Sequence, residues 1–219
     1  MQTSDDIGVP LNFEGRYKWI VFLPSKIHPN IGVLNRYFGV MENGKLKVRG
    51  IEVRKHDTPR FVYNAQMEMI NVFSLANNSK EFMQKIPEAL NVVKVYRQKL
   101  IDGEVPIEDL IVSKHLSKNP HSYKQHVSQV IAAEQLIKEG SEVHAGTSVK
   151  FLFTHSKHKK QERRVKAAQL IAQGVEPDVE KYLMLLYSAA ANMLSFNGYT
   201  VESIVKSVRE QKQKTLLGF

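Results

Sequence analysis

The alternation of hydrophobic and polar positions predicts a strand-rich beginning to this chain. The run Tyr17–Pro24 is aromatic and β-branched and ends at proline, which is typical of a buried strand. Two further runs, Arg36–Met41 and Lys45–Arg49, flank Asn43 and Gly44. An Asn-Gly pair supplies the positive φ angles of a tight turn. The pattern therefore predicts one buried strand followed by a β-hairpin.

Helical spacing of apolar residues dominates after residue 57. Thr58 and Pro59 have the residue types of an N-cap and a first helical position. A second helix is predicted from Pro87 to a stop at Gly103. The same reasoning predicts strands over 111–116 and 148–154, an amphipathic helix over 127–139, a long helix from Asp178 to Gly198, and a short helix from Thr200 followed by a basic tail. The predicted fold class is α+β, with a few antiparallel strands and a hairpin leading into a mainly helical part.

The distribution of charge favours a polyanionic partner. The 219 residues carry a net formal charge of +9. Residues 111–160 hold eight lysines against three glutamates, together with six of the eight histidines, so this segment becomes more cationic when histidines protonate. The run 157–166 places six lysines and arginines in ten residues, which predicts an exposed loop running into a helix.

Composition excludes several classes of site. The sequence has no cysteine, which excludes disulfides and thiolate metal ligands and fits a reducing cytoplasm. It has no His-Glu-x-x-His motif, so histidine pairs such as His155 with His158 predict no metal site. No signal-like start and no run of about 18 apolar residues is present, so we expect a cytoplasmic, nucleoid-associated protein without a membrane partner.

A short run of motifs carries a family resemblance. Arg36 and Tyr37 are followed by residues 47–57, Lys-Val-Arg-Gly-Ile-Glu-Val-Arg-Lys-His-Asp. This resembles family B DNA polymerases, in which a basic motif ending in Tyr precedes a β-hairpin, Arg-Gly-hydrophobic-Glu, and a basic pair with Asp. Residues 11–15, Leu-Asn-Phe-Glu-Gly, resemble the strand that follows the catalytic Asp-Thr-Asp of the family. Residues 111–118, 123–127 and 145–147 follow the order of its thumb motifs.

The resemblance implies the C-terminal palm and thumb of an archaeal enzyme, made as the small subunit of a split polymerase. Neither aspartate motif with which the family holds its two metal ions is present in the sequence. Asp5 and Asp6 suit a solvated terminus better than a metal site. The resemblance therefore implies that Mg²⁺ is held by a partner large subunit, that primer-template DNA is a second partner, and that this chain is not active alone.

The resemblance also implies which residues contact DNA. Arg36 and Tyr37 would meet the minor groove or phosphates near the primer end, and Leu34 and Asn35 stand where the family usually has basic residues. The remaining implied contacts are Arg49, Lys55, His56, Ser113, Lys114, Ser117, Lys118, Tyr123, Lys124 and Thr147. Glu52 is expected to orient a neighbouring arginine. For each of these residues the alternative is a solvated surface or a local structural role, such as packing by Tyr123 or capping by Thr147.

The tail offers a separate binding motif. Gln213, Leu216 and Phe219 have the spacing of the sliding-clamp-binding peptide, in which one helical turn places two apolar side chains in a pocket and Gln in a polar one. A frayed tail is the alternative.

The motifs divide the chain into four expected parts. Residues 1–33 are expected to form the end of the palm, residues 34–57 the palm–thumb junction hairpin, residues 58–200 the thumb and residues 201–219 the tail. The rival functions are a free-standing DNA-binding or clamp-binding accessory protein, and an inactive structural remnant. A fragment of a longer polymerase is a further alternative to a natural small subunit. The apolar strand Tyr17–Pro24 predicts an exposed sheet edge, and hence poor behaviour of the chain in isolation.

Overall fold

A computed structural model describes residues 13–25 and 31–216, with residues 210–216 as backbone. The strands in this range are β1 Tyr17–Pro24, β2 Gly32–Met41, β3 Leu46–Arg49, β4 Val112–His115, β5 Ser148–Phe153 and β6 Val165–Ala167. The helices are α1 Arg60–Ser74, α2 Ser79–Gln84, α3 Ile86–Ile101, α4 Ile107–Leu110, α5 Ser128–Lys138, α6 Val179–Leu194 and α7 Val201–Leu216. Two small antiparallel sheets and these helices confirm the α+β fold class.

The first sheet has the order β1-β2-β3 and is antiparallel throughout. One face is apolar because alternate residues of β1 and β2 point the same way, and it packs on the helices. Trp19 shows this packing: its ring lies 5.9 Å from that of Phe38 and 4.7 Å from that of Phe82. Its indole Nε1 donates to the carbonyl of Ala76 at 3.1 Å. The sheet is thereby fixed to the end of α1 and to α2.

The main core lies among α1, α3, α6 and α7, together with the first sheet. Helix α1 buries Phe61, Ala65, Met69 and Phe73, which recur every four residues and so form one face of the helix. Helix α6 is helical from Val179 because Asp178 accepts a hydrogen bond from the Lys181 N–H at 3.0 Å and caps its first turn.

The second sheet has the order β4-β5-β6 and packs against α5 to form a separate, smaller core. Gln135 of α5 ties the helix to the sheet: its Nε2 donates to the Val165 carbonyl at 2.9 Å, and its Oε1 accepts from the Ala167 N–H at 2.8 Å. This sheet carries the candidate thumb residues of β4.

Tyr182 connects the two cores. Its hydroxyl donates to the carbonyl of Leu110 at 2.8 Å and accepts from the N–H of Phe153 at 2.9 Å, so α6 holds the start of β4 and the end of β5 together. The side chain is fully buried, and burial raises the pKa of its hydroxyl far above the ordinary value. Tyr182 therefore remains a neutral hydrogen-bonding group.

The structure departs from the sequence prediction at several elements. Helices α2 and α4 and strand β6 were not predicted; β6 begins at Val165, within the end of the basic run 157–166, in place of the predicted helix. Thr58 does not cap α1, because its hydroxyl donates instead to the Glu52 carbonyl at 2.7 Å and Pro59 occupies the N-cap. Helix α6 ends at Leu194, and the helix predicted to be short is α7, of 16 residues. None of the described helices is long and apolar enough to cross a membrane.

Candidate nucleic-acid interface

Arg36, Tyr37 and Arg49 lie on the paired strands β2 and β3. The Arg36 guanidinium donates to the Pro24 carbonyl at 2.7 Å, so this arginine braces the end of β1. The Tyr37 ring lies 5.8 Å from that of Phe22, and Tyr37 pairs across the sheet with Arg49. Arg49 is exposed and forms no side-chain hydrogen bond or ion pair with any described residue. Of the three side chains, Arg49 is the one that has neither a side-chain hydrogen bond nor a ring contact with a described residue.

Gly50 sets the approach of these two strands. Its φ is +70°, in the left-handed region, and a Cβ there would lie 2.3 Å from the Asn35 carbonyl oxygen and 2.8 Å from Cγ of Arg36. No side chain fits in this conformation and space. The glycine therefore allows β3 to turn away directly after Arg49.

Glu52 anchors the segment that follows β3. Its carboxylate accepts hydrogen bonds from Asn192 Nδ2 at 2.8 Å, from Gln66 Nε2 at 3.0 Å and from Lys55 Nζ at 3.0 Å. It contacts α6, α1 and its own loop, so the expectation that it orients an arginine is wrong. Lys55 and the neighbouring His56 are exposed, and this loop presents them to solvent. The carboxylate fixes the position from which Lys55 projects.

Tyr123 organises the turn after β4. Its hydroxyl accepts from the N–H groups of Ser117 at 2.9 Å and Lys118 at 3.3 Å, and shares a hydrogen bond of 3.1 Å with Ser117 Oγ. The hydrogen bond with Ser117 lowers the pKa of the Tyr123 hydroxyl. Tyr123 thus has a structural role in shaping this turn, while the exposed side chains of Lys118 and Lys124 extend from it.

The other candidates on the second sheet fall into two groups. Thr147 Oγ1 accepts from the His144 N–H at 3.2 Å, and the Thr147 carbonyl accepts from Leu116, so this residue supports the turn facing Tyr123. Ser113 and Lys114 lie on β4 and are half-buried. Lys114 Nζ reaches Asp57 Oδ2 at 3.5 Å, which joins β4 to the segment 50–59 between β3 and α1, called here the junction loop.

The ion pair between Lys114 and Asp57 brings the candidate residues after β3 close to those of β4. A cavity of about 280 Å³ lies beside it, and Lys55, Lys114 and Lys181 are among the residues that line it. Lys181 was not singled out from the sequence. The sequence indicates only that Lys181 lies in the first turn of a capped helix. It does not indicate that α6 packs beside β4, which is what places Lys181 near Lys114.

Some cationic side chains of the basic run 157–166 already have partners within the chain, and others are exposed. Lys157 pairs with Glu180 at 2.8 Å, and the Arg164 Nε donates to the His158 carbonyl at 2.8 Å. Lys159, Lys160 and Arg163 are exposed. The rings of His155 and His158 lie 6.2 Å apart, and within residues 13–25 and 31–216 no three His, Asp or Glu side chains are grouped so that they could hold a metal ion.

The tail motif lies mostly beyond the description of side chains. The backbone of α7 is helical as far as Leu216, which includes Gln213, but the side chains of both residues and all of Phe219 lie outside the described part. Residues 11 and 12 of the palm-like motif, with Asp5 and Asp6, lie outside it as well.

Comparison with known proteins gives consistent matches. Residues 20–196 match the sequence profile of DNA polymerase family B. The chain is 31% identical over 202 residues to DNA polymerase 1 of Saccharolobus solfataricus, covering 90% of this chain and 21% of that protein. It is 30% identical over 142 residues to the DNA polymerase of Methanocaldococcus jannaschii, covering 65% of this chain and 8% of the relative.

A solved structure shares the fold. The family B DNA polymerase of Pyrobaculum calidifontis superposes with a TM-score of 0.65 at 20% identity, over 87% of this chain and 23% of that one. The chain thus spans about a fifth of the length of the Saccharolobus solfataricus polymerase and about a fifth of the Pyrobaculum calidifontis chain.

Proposed function

Because the chain belongs to DNA polymerase family B, we propose that it supplies the end of the palm and the duplex-gripping thumb to a larger chain that carries the catalytic aspartates. Residues 1–33 complete the palm, residues 34–57 form the junction, residues 58–200 form the thumb and residues 201–219 form the tail. The small share of each relative that the chain covers supports this division of labour.

The observation that carries the proposal is the meeting of the junction loop with the thumb strand. Lys55 and Lys114 come from segments about sixty residues apart in sequence, and both line one cavity beside the contact between Lys114 and Asp57. Ammonium groups that converge in this way suit successive phosphates of one duplex. Exposed Arg49, His56 and Lys124 extend the same basic character and form no side-chain hydrogen bond or ion pair with the described residues.

Contacts of this kind read the shape and charge of a duplex. Lysine ammonium groups and serine hydroxyls bind phosphate oxygens without distinguishing bases, because sequence is read at base edges in the grooves. A thumb that binds in this way holds the primer-template while the primer end advances. The contribution of the chain is positioning.

The reaction itself, magnesium-dependent attack of the primer 3′ hydroxyl on a dNTP, belongs to the larger chain in this proposal. Neither aspartate motif with which the family holds its two metal ions is present in the sequence, so the proposal assigns the magnesium ions and every step of the reaction to the larger chain.

The tail gives the complex a second anchor in this proposal. Gln213, Leu216 and Phe219 bind a sliding clamp, which would keep the polymerase on DNA between nucleotide additions. Deleting residues 213–219 is expected to lower the length of product made per binding event when the clamp is present, and to leave product length unchanged when it is absent.

Primer extension tests the main proposal. The remaining polymerase portion, produced as a separate chain, is assayed with and without this chain at two salt concentrations. We expect the large portion alone to extend poorly and the addition of this chain to restore extension that weakens as salt rises.

Two results would favour the rival functions. Unchanged extension on adding the chain, together with DNA binding by the chain alone, would favour a free-standing accessory protein. No DNA affinity even in the presence of the large portion would favour an inactive structural remnant.

A further inference from the structure

The free edge of β3 has an uncovered apolar side. Strand β3 pairs with β2 on one side, and on the other side it pairs with no strand in the described part of the chain. Leu46 and Val48 are paired with buried Val40 and Phe38, so they share the core-facing side of the sheet, yet both are only half-buried. An unpaired edge with apolar side chains is a site where another strand can add.

A groove between β3 and α1 continues this uncovered surface. It encloses about 390 Å³, and its apolar wall is formed by Leu46, Val48, Val53 and Met67. Tyr63 of α1 also lines it, and 42% of this side chain is exposed. A strand edge beside a helix, with apolar side chains between them, is the geometry used by proteins that bind an extended peptide as an additional strand.

The charged residues at the groove indicate the sign of the charge that a bound segment would carry. The two charged residues that line it, Lys47 and Arg54, are both cationic. Lys47 already binds the carboxylate of Glu14 at 2.6 Å, and this hydrogen bond lowers the pKa of Glu14. Arg54 is exposed and forms no side-chain hydrogen bond or ion pair with the described residues. A carboxylate is therefore the complementary group.

We propose that this groove receives an extended, acidic segment of the chain that carries the rest of the polymerase, and that the segment adds to the free edge of β3. The proposal rests on the proposed function, since it assumes that larger chain. This chain spans only about a fifth of the relatives that it matches, so most of the polymerase lies outside it and requires a docking surface on it. Burial of the apolar wall and backbone pairing at β3 stabilise the contact, and Arg54 selects an acidic partner because Lys47 is already paired with Glu14.

Duplex DNA is the competing ligand for this groove. Phosphates would bind Arg54, but they would leave the apolar wall and the strand edge without a partner. Those two features favour a protein segment over DNA.

Site-specific photocrosslinking tests the proposal on the full chain mixed with the separately produced polymerase portion. A Tyr63→p-benzoylphenylalanine variant places the crosslinker in the groove, and Met184→p-benzoylphenylalanine places it on α6, where 49% of Met184 is exposed. We expect a covalent adduct with the polymerase portion from position 63 and none from position 184. The assay is repeated with added primer-template duplex.

A matched pair of charge reversals gives a second readout. Arg54→Glu is expected to weaken the complex by about tenfold or more, because it opposes an acidic segment with a like charge. Lys159→Glu makes the same charge change at an exposed residue outside the groove and is expected to leave the affinity nearly unchanged. Circular dichroism verifies that both variants fold.

The outcomes separate this inference from the function on which it rests. If the complex forms but position 63 yields no adduct and Arg54→Glu has no effect, the groove is not the docking surface and the subunit function stands. If position 63 crosslinks to DNA alone, DNA is the occupant and the inference is wrong. If the two chains form no complex, the subunit function fails together with it.

Discussion

Gln66 is the only buried residue with an amide or charged side chain in the described part of the chain, with 1% of its surface exposed. Its Oε1 accepts from the Val53 N–H at 2.8 Å, and its Nε2 donates to the Ala189 carbonyl and to Glu52, each at 3.0 Å. One side chain thus satisfies backbone groups of the junction loop and of α6. Buried groups of this kind are costly to leave without partners.

Replacing this side chain tests its role in stability. Gln66→Leu keeps much of the volume but leaves the buried Val53 N–H without a partner and removes one donor from the Glu52 carboxylate, so we expect a loss of about 2 kcal/mol in the free energy of unfolding. Urea denaturation measures it. Gln98→Leu is the matched control, because Gln98 donates only to Asp102 on the surface of α3, and a change within about 0.5 kcal/mol is expected there. Equal losses in both variants would contradict the role given to Gln66.

Asp178 predicts a pH dependence of stability. Burial opposes its ionisation, but hydrogen bonds from Ser156 and from the Lys181 N–H outweigh burial and lower its pKa below the ordinary value of 3.8. The stability contributed by the carboxylate is therefore fully present above pH 3.8 and is lost as the pH falls through the lowered folded-state pKa.

Asp178→Asn removes this contribution while keeping a good N-cap residue. The free energy of unfolding of the wild type should exceed that of the variant near pH 7, and the difference should shrink below pH 3.8. Ser156→Ala removes one donor to the carboxylate and should reproduce part of the effect. A difference that is constant across this range would show that ionisation of Asp178 does not contribute.

Elements with strong local signals were predictable from the sequence, and elements defined by distant contacts were not. Strand β1 was predicted with its observed bounds, and so was a hairpin formed by β2 and β3, although Gly44 adopts a positive φ of +79° and Asn43 does not. Strand β6 has three residues and exists only because it pairs with β5, so it has no periodicity of its own to detect. The cap of α1 was misassigned because Thr58 hydrogen-bonds to Glu52, a contact that depends on the fold of the junction loop.

The junction hairpin gives a prediction about close packing. Gly50→Ala places a Cβ 2.3 Å from the Asn35 carbonyl oxygen at a φ of +70°, so both conformational strain and a backbone clash oppose it. Gly44→Ala shares the strain, at a φ of +79°, but meets no atom within 4 Å. We expect a loss of about 1 kcal/mol for Gly44→Ala and a clearly larger one for Gly50→Ala. Thermal unfolding of the two variants compares them, and equal losses would remove the argument from packing.

The Tyr182 hydroxyl is one of several contacts between helix α6 and the second sheet, and its contribution can be tested with the two buried tyrosines of the helix. Tyr182→Phe keeps the ring but leaves the Leu110 carbonyl and the Phe153 N–H without a partner, which should cost about 1–3 kcal/mol. Tyr187→Phe makes the same chemical change at a hydroxyl that forms no hydrogen bond with the described residues, and should cost much less. Hydrogen exchange of the β4 and β5 amides should accelerate only in the Tyr182 variant. Equal protection of these amides in both variants would contradict the connecting role.

At the scale of the whole molecule, residue types and their order named the candidate DNA-binding residues, but they did not give the spatial arrangement of these residues. Chain order placed Lys55 and Lys114 in separate motifs, and their meeting at one cavity follows from the packing of the second sheet on α6. Tyr123 and Thr147 were grouped with phosphate ligands by position, whereas their hydroxyl groups serve local turns. Side chains that bind backbone cannot be separated from side chains that face solvent without the tertiary contacts.

The arrangement predicts how DNA affinity depends on salt. Each lysine that neutralises a phosphate releases a counterion, so Lys55→Met and Lys114→Met should each reduce the slope of log affinity against log salt by about 1 when the complex with the large polymerase portion binds primer-template. Lys80→Met is the control and should leave the slope unchanged. Lys80 is an exposed lysine of α2 that lies outside the cavity lined by Lys55 and Lys114 and outside the basic run 157–166. Because Lys114 also pairs with Asp57, Asp57→Asn should raise affinity slightly by releasing that ammonium group. An unchanged slope in both lysine variants, with folding intact, would mean that the duplex binds elsewhere on the chain.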